Sequence, residues 1–143
     1  KEFKKANDGR FLIIDEVNKI RQPKPSAFKG KIYFLISGWT HSGGAVLCSM
    51  ALNNDNVTFI GQETGGGHEF YTAGNMAFYT LPNTRCQLEV PMIRYQNAVP
   101  AKAFPRGSGI RPHHRVAKSQ ADFIQGKDTV MQFALDLIKQ SGP

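Results

Sequence analysis

Residues 32–61 carry the pattern that most restricts what this chain can fold into. Ile32-Tyr33-Phe34-Leu35-Ile36 is continuously apolar, β-branched or aromatic, and bounded by Gly30 and Gly38. An unbroken apolar run of this length, without polar alternation, predicts a strand covered on both faces. Small residues fill the turn from Ser37 to Gly44. Ala45, Val46, Leu47, Cys48, Met50 and Ala51 then read as a short buried helix, ended by Asn53-Asn54-Asp55-Asn56. Val57-Thr58-Phe59-Ile60 is a second buried strand, closed by Gly61. Strand, turn, helix, polar loop and strand make a βαβ unit with parallel strands and a right-handed crossover helix. The fold class is therefore α/β.

The flanking segments are less uniform. In Phe11–Ile20, Ile13, Val17 and Ile20 share one helical face with Ile14 beside them, although the run FLII equally suits the start of a strand. Pro23 and Pro25 lack amide donors and restrict the residues before them, which makes a connector. Residues 1–30 are thus expected to form an N-terminal helix and connector, and residues 31–143 one unit. After Gly65-Gly66-Gly67, strands are predicted at Met76–Leu81 and Leu88–Ile93, with Pro82 and Asn83 turning the chain. Pro91 demotes the second of these to an edge or bulged position. Asn97 to Arg115 reads as ordered loop. A C-terminal amphipathic helix follows: Asp128 is its expected N-cap, and Val130, Phe133, Ala134, Leu137 and Ile138 recur at helical spacing, with Gly142-Pro143 as the stop. Phe59, Phe78 and Phe133 fit core positions by periodicity.

Composition excludes several functional classes. With 143 residues and 41% hydrophobic content, the chain can bury one core. Its net charge of +7 is dispersed, for example over Lys4, Lys5, Lys29, Lys31, Arg106, Arg111 and Arg115. No basic run or recognised nucleic-acid module accompanies it, so no nucleic-acid partner is expected. Cys48 and Cys86 match neither a redox pair nor a zinc pattern. Cys48 reads as a small buried hydrophobe and Cys86 as a strand residue, and a disulfide between them stays open. No 18-residue apolar segment occurs, so no membrane insertion is expected. The opening at Lys1 without Met is expected of an excised or processed portion. No HExxH spacing and no GK[ST] ending to the glycine triplet are present, so neither a metal nor a cofactor is expected.

Chemistry concentrates at Ser37-Gly38-Trp39-Thr40-His41-Ser42-Gly43-Gly44, between a buried strand and a helix. A serine there projects from the carboxyl end of a sheet, where open α/β folds place their ligands. Gly43 and Gly44 clear space for a substrate carbonyl. Amides of a first helical turn lack internal partners and can hold developing oxyanion charge. The bland alternative is a serine N-cap followed by glycines. GxSxG is absent, so an ordinary α/β-hydrolase is not indicated.

The run KIYFLISGWTHSGGAVLCSMALNNDNVTFIGQETGGG resembles the nucleophile region of the C-terminal processing, or tail-specific, peptidases of the S41 family. The elements that carry the resemblance are Thr40-His41-Ser42, the helix around Leu47, and Gly61-Gln62-Glu63-Thr64-Gly65-Gly66. Leu81 to Thr84, and Gly107-Ser108-Gly109-Ile110-Arg111-Pro112, resemble further family segments. Where many members have an acidic residue after that proline, this chain has His113. The resemblance implies a crotonase-like or ClpP-like α/β core, a polypeptide substrate and an extracytoplasmic location, periplasmic or secreted. It also implies an acyl-enzyme at Ser42, with Gly43 contributing to the oxyanion site.

The departures bear on mechanism. The general-base lysine of bacterial tail-specific members matches Gly67, and its supporting glutamine maps near Tyr71. The chain therefore resembles the tricorn-like and retinoid-binding-protein-like branch, whose histidine comes from an earlier part of the domain. Among local residues, His68 is the candidate base if the glycine loop folds over Ser42. His41 normally points away from its neighbour, and His113 and His114 read as surface residues of a proline-rich segment. Glu63 and Glu89 are either partners for an imidazole or solvated carboxylates. Trp39 is a candidate pocket wall, and Tyr71 and Tyr79 fit pocket or surface alike. With the base outside the chain, two readings stand: part of a serine peptidase, or a non-catalytic binding domain on a hydrolase fold. Missing sheet neighbours would leave apolar surface open to self-association.

Overall fold

The computed structural model describes residues 2–14, 22–100 and 104–140. It is a mixed α/β structure with several sheets. The first element differs from the helix expected at the N-terminus. Strands β1 (Glu2–Lys5) and β2 (Phe11–Ile14) pair antiparallel as a hairpin. Local turn chemistry overrides the helical spacing. Asp8 accepts from the Arg10 amide at 3.1 Å and ion-pairs with its guanidinium at 2.6 Å, while Gly9 takes φ +83°. Val17 and Ile20, the rest of the expected helical face, lie outside the described residues.

The βαβ unit is present. Strand β3 (Ile32–Ile36) runs into helix α1 (Gly43–Ala51), and strand β4 (Val57–Gly61) returns parallel to β3. A two-residue strand, His114–Arg115, adds parallel to the far side of β4. Among the described residues β3 therefore lies at the edge of the sheet. Its burial corrects the expectation that both faces are covered: Ile32, Tyr33 and Phe34 are half-buried and Leu35 is 37% exposed, whereas β4 is buried almost throughout. Side chains alternate across a strand. Ile36, Val57 and Phe59 join Cys48 and Ala51 of α1 and Ile110 in one core, with Phe34 stacked on Phe59 at 5.4 Å. Burying a side chain such as Phe59 contributes about 1.5–3 kcal/mol.

Helix α1 buries its small side chains, Ala45, Cys48, Ser49 and Ala51, and Cys48 and Ala51 join the core of the sheet. Ser49 returns its hydroxyl to the Ala45 carbonyl at 2.9 Å. Leu47 and Met50, expected inside, are 56% and 64% exposed. Burial pushes the Cys48 thiol up from its ordinary value, and Cys48 and Cys86 are both free thiols.

Past β4 the chain forms two antiparallel pairs. Strands β5 (Phe70–Thr72) and β8 (Arg94–Gln96) pair with Tyr71 stacked on Tyr95 at 5.0 Å. Strands β6 (Met76–Thr80) and β7 (Gln87–Pro91) form a hairpin whose turn holds Arg85 at φ +60°. The strand predicted at Leu88–Ile93 therefore ends early, at Pro91, and Met92 and Ile93 link β7 to β8. Phe78, expected in the core, is 61% exposed on this arm.

The short strand beside β4 is β9 (His114–Arg115). Helices α2 (Gln120–Ile124) and α3 (Thr129–Gln140) follow it. The first of these was not foreseen, being barely one turn long. Ser119 caps it by accepting from the Asp122 amide at 3.0 Å, and Thr129 donates to the Asp122 carboxylate at 3.0 Å. The Ser119 hydroxyl also donates to that carboxylate at 2.8 Å, and this bond, then the one from Thr129, holds the Asp122 carboxyl below its usual range. Asp128 accepts from the Met131 amide at 3.0 Å, as expected of an N-cap. Helix α3 packs against β3 and β4 with Ala134 buried. Phe133 lies beside His114 at 5.5 Å but keeps 38% exposure, so it borders the core.

His113 is exposed, as expected, but its ring and backbone are both bonded to β4. Because β9 is so short, the Phe59 amide has no carbonyl opposite it. The His113 Nδ1 accepts from that amide at 2.9 Å, while the His113 amide donates to the Phe59 carbonyl at 2.8 Å. The ring also stacks on Phe59 at 5.6 Å. An Asn Oδ1 stands at the same number of bonds from the backbone as a His Nδ1, and a Leu methyl matches that position without accepting. His113→Leu should lower the unfolding free energy by about 1–3 kcal/mol, and His113→Asn by less. Urea denaturation of the two variants checks this; equal losses would mean that the acceptor contributes nothing.

Candidate active site

Ser42 stands at the junction of the β3 turn and α1, with φ 50° and ψ −129°. This backbone region is open to glycine and costs other residues about 1–3 kcal/mol. A Ser N-cap would adopt extended dihedrals and bond its hydroxyl to an amide of the first turn. Ser42 does neither. Its side chain makes no capping bond and the residue is exposed. The bland alternative of a capping serine is thereby removed.

The turn before it is fixed by its own side chains. Thr40 Oγ1 accepts from the Ser37 amide at 3.0 Å, and Ser37 Oγ accepts from the Trp39 amide at 3.2 Å. The glycine loop closes the other side. The Gly66 amide donates to the Thr40 carbonyl at 3.1 Å. A Cβ on Gly65 would run into the Gly38 carbonyl, and one on Gly66 into Ala45 and His41. Bare backbone at these two positions is what lets the loop seat against the serine turn.

The loop is in turn anchored by Thr64, which is 4% exposed. Its hydroxyl accepts from the Ile110 amide at 2.8 Å and donates to the Gly66 carbonyl at 2.8 Å. Glu63 Oε1 accepts from the Gly109 amide at 2.9 Å, and Oε2 lies 3.6 Å from Arg111 Nε. Glu63 is thus committed to these groups rather than to an imidazole. Glu89 is on β7, in the β6–β7 arm.

Gly43 and Gly44 differ as oxyanion donors. The Gly44 amide already donates to the His41 carbonyl at 3.1 Å. The Gly43 amide has no acceptor among the described residues and is exposed at the start of α1. Ser42 and Gly43 are therefore brought together with a free hydroxyl and a free N–H.

His68 is placed differently. It is 2% exposed, its Nδ1 lies 2.8 Å from the Ser108 carbonyl, and its ring meets Phe104 edge-on at 5.4 Å. A carbonyl partner fixes Nδ1 as the donor. No hydrogen bond joins His68 to Ser42. The ring pins the glycine loop to the 105–109 segment, an anchoring role that the sequence did not suggest. His41 is exposed beside Ser42, and His114 packs on Phe133. Trp39 is 87% exposed and Tyr79 58%. A Cβ at Gly67 would meet only ordinary contacts, at 3.6 Å from the Phe70 carbonyl oxygen and 3.9 Å from that of Ser108. A side chain there is not sterically barred.

A cleft of about 580 Å³ opens at the same sheet edge, lined by Gly38, Gln62, Glu63, Arg111, Pro112 and Arg115. Sequence reading treated both arginines as dispersed surface charge. Their four-residue spacing around Pro112 was the available signal. Among the described residues, no group of histidine, cysteine and carboxylate side chains could hold a metal ion. Compared with known proteins, the chain matches no family model and no curated protein.

Backbone strain at Ser42 yields a measurable consequence. Ser42→Gly should raise the unfolding free energy by about 1 kcal/mol, because glycine adopts φ 50° and ψ −129° without a Cβ penalty. Ser42→Ala keeps the Cβ and should change stability by under about 0.5 kcal/mol. Chemical denaturation of both variants checks the pair, and a glycine variant less stable than the alanine one would refute the strain.

Proposed function

We propose that this chain is part of a serine peptidase domain with a crotonase-like or ClpP-like core, akin to the tail-specific peptidases. In this reading Ser42 Oγ attacks the carbonyl of a polypeptide substrate. Its proton passes to a base outside these residues. The Gly43 N–H, with a second amide, holds the negative oxygen of the tetrahedral intermediate. The base then protonates the leaving amine, and water releases the acyl group from Ser42.

The observation that carries the reading is the strained backbone at Ser42, with an exposed hydroxyl that caps nothing. Strain at one solvent-facing serine, beside an unspent amide, fits a nucleophile better than a structural turn. The glycine loop seated on that turn, and the parallel β3-α1-β4 unit behind it, suit the same family core. An extracytoplasmic location belongs to the proposal through the resemblance alone.

A second reading is a non-catalytic peptide-binding domain on a hydrolase fold. It is favoured by His68, the candidate base among the local residues, which is bonded to Ser108 instead of Ser42. Hydrolysis of an unstructured peptide separates the two. In the full-length protein carrying this segment, Ser42→Ala should lower turnover by at least about a thousandfold. Unchanged turnover would exclude the nucleophile. The 143-residue chain alone should show little turnover, and Ser42-dependent activity from it would place the base inside these residues.

Self-association is also part of the proposal. The outer edge of β3 has no strand partner among the described residues. Leu35, Leu47 and Met50, with Met131, Leu135 and Ile138 of α3, expose large apolar side chains. Unpaired strand edges and apolar faces invite further contacts. Sedimentation velocity should show a mass that rises with concentration above the 15.9 kDa of one chain. A monomer at every concentration would overturn this part of the proposal.

A further inference from the structure

The cleft at the carboxyl edge of the sheet is separate from the Ser42 hydroxyl, which does not line it. Its walls come from the ends of all three parallel strands. Gly38 follows β3, Gln62 and Glu63 follow β4, and Arg115 closes β9. Ligands of open α/β sheets settle at this edge. At about 580 Å³ the space lies within the range of ligand sites and is far larger than a single ion requires.

Two guanidinium groups share this cleft with one carboxylate. Arg111 is engaged with Glu63, but loosely, at 3.6 Å and with 57% of its side chain exposed. Arg115 has no ion-pair partner among the described residues, although it lies on the cleft wall. A planar guanidinium presents paired donors that match the two oxygens of a carboxylate. The net charge of +7 adds a field that draws anions towards the protein.

We propose that this cleft binds a carboxylate group, with Arg115 as the main anchor and Arg111 as a second donor. Glu63 steers the ligand: its negative charge repels an anion from the Arg111 side and leaves the Arg115 guanidinium as the favoured end. Gly38 offers bare backbone along the wall, so an extended ligand can lie against it. The carboxylate belongs either to the C-terminus of a polypeptide or to a free small acid. The site stands whether or not Ser42 turns over a substrate.

The test uses the chain with Ser42→Ala, so that no turnover intervenes. Acetyl-Ala-Ala-Ala as the free acid, its C-terminal amide, acetate and inorganic phosphate are titrated by NMR, reading the arginine side-chain signals. The free acid should bind at least about tenfold more tightly than the amide. Arg115→Gln should remove most of that preference, while Arg115→Lys should retain part of it. Circular dichroism confirms that these exposed-site variants keep the fold. Binding should weaken as salt rises, since the cleft is open to solvent. Acetate equal to the peptide acid would assign the site to free small acids, and a tighter peptide acid would assign it to chain ends. Equal binding of acid and amide, an unaffected Arg115→Gln variant, or phosphate binding without carboxylate binding would each overturn the proposal.

Discussion

One hydroxyl ties the functional edge of this protein together. Thr64 accepts from the Ile110 amide and donates to the Gly66 carbonyl, joining the loop after β4 to the segment before β9. The first bond is buried and the second partly so, and an unmade buried partner costs about 1–3 kcal/mol. The Thr64 amide adds a third link to the Ile110 carbonyl at 3.1 Å. With this clamp in place, Gly65 and Gly66 press on the serine turn, and Ser42 is held in a conformation it would not choose. The Gly66 amide on the Thr40 carbonyl and the His68 bonds to Ser108 hold the same loop alongside this clamp.

Strain and packing are thus two sides of one arrangement. The dihedrals of Ser42 cost free energy locally, and the close backbone contacts around it supply the opposing constraint. The result is an exposed hydroxyl next to an unspent Gly43 amide, on a rigid strand-helix junction. The proposed acyl transfer would draw on this arrangement, because preorganised donors act most strongly where charge develops. His68 belongs to the scaffold of this site: it holds the loop to Ser108 from inside.

The histidine after Pro112 shows how a side chain can complete a sheet where backbone runs out. The His113 imidazole accepts from the Phe59 amide that a two-residue strand leaves without a carbonyl. Its own amide donates to the Phe59 carbonyl, and its ring stacks on the Phe59 ring. These contacts account for the placement of His113 without a catalytic role.

The sequence by itself determined the elements whose signals are local and strong. The βαβ unit followed from two apolar runs separated by a helical stretch. Asp128 marked the start of α3, and the glycines around Ser42 marked a strand-helix turn. It misread Phe11–Ile14 because four apolar residues satisfy both periods, and the Gly9 turn decided for a hairpin. It placed Phe78, Leu47 and Met50 inside because periodicity reports a face without saying whether anything covers it. Only tertiary structure decided that Ser42 is strained and uncapped, that His68 turns to Ser108, and that Arg111 and Arg115 share a cleft. Those facts depend on contacts between residues some forty positions apart or on backbone angles fixed by such contacts, and no local pattern carries that information.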